Sequence, residues 1–207
     1  MEYESIYGPY ADMLPGILGL MIDRITLLGE TMRAKRGVRP WEHLSGRVKT
    51  EKSMRDKLSR LGLEESPKAA LTGVYDAVGI RVVCRFLNDI YQVADALRHM
   101  DGVRVVREKD YIVNAKENGY RSYHMILQVR GEGGGPCPDG SFYAEVQLRT
   151  IAMDSWAALE HEISYKQELK KKEMIRKELK RCADELAACD VAMQALRDVI
   201  DESGGEG

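Results

Sequence analysis

Two short segments of this chain carry more polar chemistry than structural strands usually do. They are Lys116-Glu117-Asn118-Gly119-Tyr120-Arg121-Ser122-Tyr123-His124 and Glu145-Val146-Gln147-Leu148-Arg149-Thr150. Both read as strand edges with polar groups on one face and apolar groups on the other. Around the second segment, Tyr143, Glu145, Gln147 and Arg149 share a face opposite Phe142, Ala144, Val146 and Leu148. In the first, Ser122, His124 and Gln128 oppose Tyr123, Met125, Leu127 and Val129. A sheet facing solvent would alternate in the same way. The content of these faces is what sets them apart: a carboxylate, an imidazole, an aromatic ring and cations, the groups needed to grip a nucleotide.

Asp76 precedes another strong strand, in which Arg81 and Arg85 oppose Ile80, Val82, Cys84 and Phe86. If these strands are neighbours, Asp76 and Glu145 converge on one Mg²⁺, a cation that takes few protein oxygens and fills its remaining positions with water and phosphate. Arg47, Lys49, Lys57 and Arg60 supply positive charge beside them. Lys57 and Arg60 lie one helical turn apart and so point the same way, although a solvated helix face would show the same pair. With Tyr120 as an aromatic platform, this set matches the needs of phosphoryl or nucleotidyl transfer. His43, His99 and His161 have no partner pattern and are expected to be structural or exposed.

Elements that position these groups follow from periodicity. Leu14, Leu18, Met21, Ile25, Leu28 and Met32 mark one face of an N-terminal helix, with Pro15 in its first turn and Gly37 and Pro40 closing it. A shorter helix starts near Thr50, turns Met54, Leu58 and Leu61 inward and stops at Gly62. Residues 63–75 read as a loop, 80–86 as a buried strand, and 88–100 as a helix with Ile90, Val93, Ala94 and Leu97 inside. Residues 103–112 form a weaker strand because their charges are scattered. Strands over 121–130 and 142–150 are joined by a Gly- and Pro-rich turn at 131–140 that has no phosphate-binding signature. From Ala152 onward the pattern is helical, and Trp156 is expected to pack under the sheet. Ile175, Leu179, Cys182, Leu186, Cys189, Met193, Leu196 and Ile200 keep a heptad seam suited to a second long helix, from the same chain or another subunit. Cys182 and Cys189 read as small core residues on it.

Bulk properties bound the class. The 207 residues suffice for one domain with a real core, or for one domain with appended helices. A net charge of −2 and a pI near 6.1 argue against a surface coated for general nucleic-acid binding. There is no apolar run long enough to span a membrane and no signal-peptide pattern, so a cytoplasmic location is expected. Cys84, Cys137, Cys182 and Cys189 show neither CxxC pairing nor zinc spacing, which fits reduced thiols.

Three blocks, Asp76-Ala77-Val78-Gly79-Ile80-Arg81, Asn118-Gly119-Tyr120-Arg121-Ser122-Tyr123-His124 and Glu145-Val146-Gln147-Leu148-Arg149-Thr150, resemble the signature blocks of RelA/SpoT-type (p)ppGpp synthetase domains. The segment Ala152-Met153-Asp154-Ser155-Trp156-Ala157-Ala158-Leu159-Glu160-His161 is similar to that of the stand-alone members, the small alarmone synthetases. The likeness runs in order from about Trp41 to Lys166 and more loosely through the flanking helices. Ala77-Val78 departs from it, since the family commonly shows a β-branched residue followed by a small one. The resemblance implies an α+β, nucleotidyltransferase-like mixed sheet of about five strands flanked by helices. It also implies transfer of pyrophosphate from ATP to the 3′-hydroxyl of GDP or GTP, releasing AMP. Carried over, Arg47 and Arg81 would clamp adenine, and Lys49, Lys57 and Arg60 would hold the ATP phosphates. Asp76 would bind Mg²⁺, and Glu145 would act as general base, metal ligand or both. Tyr120 would stack on guanine, while Lys116, Asn118 and His124 hold the acceptor with support from Gln147 and Arg149.

The expected organisation is a helical segment over 1–40, a catalytic domain over 41–166 and an oligomerising helix over 167–207. Without the His-Asp pair of the family's hydrolase domain, and with no room for that domain before Trp41 or for ribosome-binding segments after residue 207, the chain is expected to be a synthetase only. The resemblance also implies a homotetramer held by terminal helices, in some relatives with a regulatory alarmone or single-stranded RNA in its central cleft. Two other readings compete: the same chemistry on GMP or an adenine nucleotide, and a binding module that has kept the fold without turnover.

Overall fold

A computed structural model of the chain describes residues 5–165 and 172–204. Its elements in order are α1 (Leu14–Arg36), β1 (Trp41–Val48), α2 (Glu51–Leu61), β2 (Val78–Cys84), α3 (Leu87–Arg98), β3 (Val103–Asp110), β4 (Tyr123–Arg130), β5 (Ser141–Thr150), α4 (Ile151–Tyr165) and α5 (Lys172–Gly204). The five strands form one mixed sheet in the order β1-β2-β5-β4-β3. β2 and β5 run parallel at its centre, and the remaining pairs are antiparallel.

One face of the sheet is the core. Val78, Ile80, Val82 and Cys84 of β2 and Ala144, Val146 and Leu148 of β5 are buried there, with Met125, Leu127 and Val129 of β4. Leu14, Ile17, Met21 and Ile25 of α1, and Ile90, Val93, Ala94 and Leu97 of α3, join the same core. Four apolar residues on one face of each helix thus meet strand residues two apart, which fixes which face is left free. The polar face of the sheet carries the candidate chemistry.

Most sequence expectations for the elements hold, with instructive exceptions. The fifth strand, β1, had no alternation strong enough to reveal it; it is an edge strand whose exposed His43, Ser45 and Arg47 face away from the core. Residues 116–122 are loop and not strand, because β4 begins only at Tyr123. The expected loop over 63–75 contains a π-helical turn at Ala69–Gly73 that buries Ala70 and Leu71. Leu61, expected inside, is half exposed at the end of α2. Trp156 packs between α4 and α5, its indole N–H donating to the Leu179 carbonyl at 2.8 Å, and not beneath the sheet.

The heptad seam on α5 divides. Ile175, Leu179, Cys182 and Leu186 are half-buried within the chain, whereas Met193, Leu196 and Ile200 are exposed, as is Cys189. Neither cysteine is therefore a core residue. Further along, the inward line drifts to Asp190, Gln194 and Arg197, which hold polar partners: Thr150 Oγ1 donates to Asp190 at 2.6 Å, Gln194 accepts from the Asn88 amide at 2.9 Å, and Arg197 pairs with Asp89 at 2.8 Å.

Two glycines of α1 allow a matched test of packing. A Cβ on Gly29 would lie 2.4 Å from Cζ2 of the buried Trp41 ring, while one on Gly19 would meet nothing within 4 Å. Gly29→Ala is expected to destabilise the protein by about 1–3 kcal/mol through overpacking. Gly19→Ala should stabilise it by about 0.5–1 kcal/mol through helix propensity. Urea midpoints at one protein concentration read both signs.

Candidate active site

β5 places Glu145, Gln147 and Arg149 in a row on the free face, and β4 sets His124 opposite Gln147. These side chains, with Tyr120, close a ring of hydrogen bonds. Arg149 Nη2 donates to Gln147 Oε1 at 2.7 Å, and Gln147 Nε2 donates to Glu145 Oε2 at 2.8 Å. His124 Nδ1 lies 3.1 Å from Glu145 Oε1, and its Nε2 lies 2.8 Å from the Tyr120 hydroxyl. Arg149 Nη2 also donates to that hydroxyl at 2.9 Å. An ionised carboxylate only accepts, so Nδ1 donates to Glu145, and Nε2 meets the Tyr120 hydroxyl. Every member then has a consistent role. Burial pushes the Glu145 carboxyl up, but the His124 hydrogen bond and charge, with Gln147, hold it below the usual carboxylate range.

Asp76 stands across from this ring. Its Oδ2 is held by both Lys49 Nζ and Lys57 Nζ at 2.8 Å. Burial alone would raise its carboxyl; the two ammonium groups bring it below normal. Lys49 is itself fixed from behind: its amide donates to the Ala77 carbonyl at 2.8 Å, and its carbonyl accepts from the Tyr7 hydroxyl at 2.6 Å. Asp76 Oδ1 is buried and has no hydrogen-bond partner among the described residues. A buried carboxylate oxygen left bare fits a cation ligand.

Asp76 and Glu145 form the common wall of two clefts. The first, of about 340 Å³, runs over β1 and β2 and is lined by Arg47, Lys49, Gly79, Arg81 and Gln147 besides the two carboxylates. Gly79 faces Glu145 in the parallel register, and a Cβ there would come no nearer than 3.9 Å to any protein atom. The packing therefore leaves room for a side chain at Gly79, and its absence keeps the cleft floor open. The second cleft, of about 410 Å³, is lined by Lys57, Tyr75, Arg107, Lys109, Tyr111, Lys116 and His124.

A β-bulge explains the last set. β3 slips by one residue between Val105 and Arg107, so Arg107 and Lys109 oppose Ile126 and His124 on the free face. Bulges re-aim side chains in this way, and nothing in the spacing of residues 103–112 announces one. Arg107 and Lys109, with Tyr75 and Tyr111, are the cleft residues that sequence reasoning missed. Asp154, which lines neither cleft, was missed as well: its Oδ1 accepts from Arg149 Nη1 at 2.9 Å and pairs with Arg81 Nη1 at 3.2 Å. It lay within a quoted segment, but with no chemistry attached to it.

The remaining expected residues are placed as follows. Lys116 sets its ammonium 4.7 Å from the Tyr120 ring centroid and 4.8 Å from that of Tyr111. Asn118 Oδ1 accepts from the Tyr120 amide at 3.1 Å, which shapes the loop, and lies outside both clefts. Gly119 has φ +90°, and a Cβ on it would sit 2.6 Å from that of Ala183 on α5, so the loop presses directly on that helix. Arg149 is buried and supports Tyr120, its guanidinium 5.3 Å from the ring centroid. Arg60 is exposed on α2 and lines neither cleft. Among the described residues no cluster of three or more His, Cys, Asp or Glu side chains forms a protein-only metal cage.

Comparisons with known proteins identify the family. The family described as the region found in RelA / SpoT proteins matches residues 46–170. The chain is 35% identical over 180 residues to GTP pyrophosphokinase YwaC of Bacillus subtilis, covering 86% of this chain and 84% of that protein. It is 32% identical over 169 residues to GTP pyrophosphokinase YjbM of the same organism, covering 79% and 75%. Among solved structures, a GTP pyrophosphokinase family protein from Streptococcus pneumoniae superposes with a TM-score of 0.81 at 29% identity, covering 94% of each chain. Small alarmone synthetase 1 from Bacillus subtilis, bound to its product pppGpp, gives 0.79 at 26% identity over 91% and 94%. With more than half its length matched by the family, and all five strands of the sheet within or beside that match, this chain belongs to the RelA/SpoT family.

Proposed function

We propose that the chain transfers the β,γ-pyrophosphate of ATP to the 3′-hydroxyl of GDP or GTP and releases AMP. The observation that carries this reading is the shared wall: Asp76 and Glu145 border both clefts, so a donor in one and an acceptor in the other would meet at the two carboxylates. ATP would lie over β1 and β2, its adenine between the Arg47 and Arg81 guanidinium planes and its phosphates beside Lys49 and Lys57. The acceptor guanine would stack on Tyr120, with Lys116, His124, Arg107 and Lys109 around its phosphates. Arg60 would join the donor phosphates only by swinging its side chain inward.

In the reaction the acceptor O3′ forms a bond to Pβ while the bond from Pβ to the α,β-bridging oxygen breaks, and that oxygen leaves with AMP. The O3′ proton passes to Glu145, which the ring holds ionised and aimed. Lys49, Lys57 and Lys116 offset the charge that develops on the transferred group. Asp76, whose Oδ1 is bare, and Glu145 would hold Mg²⁺, which when bound would neutralise phosphate charge. The reading includes synthesis without hydrolysis, and assembly as a homotetramer through the exposed Met193, Leu196 and Ile200 of α5. No helix among the described residues is long and apolar enough to cross a membrane.

Three outcomes test this reading. Glu145→Gln should lower product formation by roughly 10²–10⁴-fold while the protein stays folded. Separating the products of ATP incubated with GMP, GDP, GTP or ADP measures this and also ranks the acceptors; an undiminished rate in the variant rejects Glu145 as base. The base must be ionised, so kcat/KM falls as pH drops through its lowered pKa. His124→Ala removes the largest lowering contribution, so the acid limb of the pH profile should move to higher pH, whatever the rate lost. Light scattering should give a tetramer for the native protein and a smaller species for Leu196→Glu. A native monomer rules out the helical seam.

A further inference from the structure

We infer that Asp154 is a positioning residue that ties the donor clamp to the acceptor platform through one carboxylate oxygen. Its Oδ1 lies 3.2 Å from Arg81 Nη1 in the first cleft and 2.9 Å from Arg149 Nη1, whose other terminal nitrogen holds the Tyr120 hydroxyl at 2.9 Å. The inference rests on the functional reading above only for which nucleotide each side takes.

The local structure makes the tie rigid. β5 passes into α4 with no intervening loop: Thr150 ends the strand, and its hydroxyl accepts from the Met153 amide at 3.1 Å as a helix cap. The same hydroxyl donates to Asp190 of α5 at 2.6 Å. Asp154, in the first turn of α4, is thereby carried back over the sheet toward Arg149, five residues earlier, and Arg81 on the adjacent strand.

Dependence runs one way. Arg149 is 5% exposed, and among the described residues Asp154 is the one carboxylate within ion-pair distance of it. Among the described residues the buried Arg149 Nε has no partner, and Nη1 and Nη2 fix the guanidinium. Without Asp154, a buried cation loses its counter-ion, and its hold on the Tyr120 hydroxyl loosens with it. Arg81 is 43% exposed, and Asp154 is its one ion-pair partner among the described residues. Released, it samples other rotamers and presents a poorer stacking plane. Glu145 keeps His124 and Gln147 in either case, so binding should suffer more than the chemical step.

Asp154→Ala should raise KM for both donor and acceptor roughly ten- to a hundredfold, as expected for a lost charge-assisted hydrogen bond, with a much smaller fall in kcat. Asp154→Asn, which keeps an uncharged acceptor oxygen, should fall between it and the native protein, and carries the test if the alanine variant does not fold. In a Tyr120→Phe background the acceptor effect should vanish, because Arg149 has no hydroxyl left to aim. In an Arg81→Ala background the donor effect should vanish likewise. A change in only one KM, a fall confined to kcat, or effects that persist in full in both backgrounds would overturn the inference. If the native protein transfers nothing to any guanine nucleotide, the functional reading fails instead. Calorimetric binding of ATP and of GDP to the native and Asp154 variants then decides the inference by the same two losses.

Discussion

Parallel pairing of β2 with β5 is the constraint on which the site depends. In that register Gly79 lies beside Glu145 and Arg81 beside Gln147. An open floor and a guanidinium thus sit against the strand that carries the carboxylate and its support. A one-residue slip would turn Glu145, Gln147 and Arg149 into the core and bring Val146 and Leu148 onto the cleft. Apolar burial forbids this, since Ala144, Val146 and Leu148 are fully covered by the helices behind them. The hydrophobic pattern of two central strands therefore fixes the polar geometry in front of them, with no separate device needed to align it.

The site also concentrates charge that would be unfavourable anywhere else. Asp76 and Glu145 raise each other's cost of ionisation, and both are largely buried. Each is kept ionised by its own neighbours: two ammonium groups for Asp76, and an imidazole and an amide for Glu145. The two arrangements differ in one respect. Both oxygens of Glu145 are occupied within the ring, whereas Asp76 keeps one oxygen bare. A carboxylate held on one oxygen only is pre-set to take a cation on the other. One whose oxygens both accept hydrogen bonds is pre-set to stay put while a proton arrives.

How much of this the sequence revealed follows from the range of the interactions involved. Alternation in β2, β4 and β5 and helical spacing in α1 and α3 come from burial on one face, and burial leaves a periodic trace. Asp76 and Glu145 come together because β2 and β5 are neighbours, which alternation alone left open; of the cations expected beside them, Arg47, Lys49 and Lys57 line the clefts and Arg60 does not. β1 left no trace because an edge strand with an exposed face need not alternate cleanly. The bulge at Val106 was invisible: one extra residue in a run of charges alters no composition, yet it turns Arg107 and Lys109 toward the cleft. The loop over 116–122 passed for strand because it runs directly into β4; its own residues do not alternate, and Gly119, at φ +90°, breaks the extended backbone. The α5 seam is covered within this chain only in its N-terminal half; a heptad count records apolar spacing without saying which partner covers it.

That helix nonetheless bears on the site from one side. Gly119 can approach Ala183 only because it has no side chain, Arg121 Nη2 pairs with Asp184 at 3.2 Å, and the Trp156 indole reaches the Leu179 carbonyl. All three contacts flank Tyr120, whose ring centroid is 6.5 Å from that of Trp156. The loop that carries the aromatic platform therefore takes its position from α5, and not from the sheet alone. Further along, the same helix exposes Met193, Leu196 and Ile200 on a surface that its own chain does not cover. A helix of 33 residues is long relative to its contacts with the rest of the chain, so its orientation is held mainly near Ala183, Asp190 and Gln194. Whatever covers its outer apolar face would stiffen it along its length. That stiffness would reach the platform through Ala183, whose methyl group faces the Gly119 backbone so closely that no Cβ fits between them.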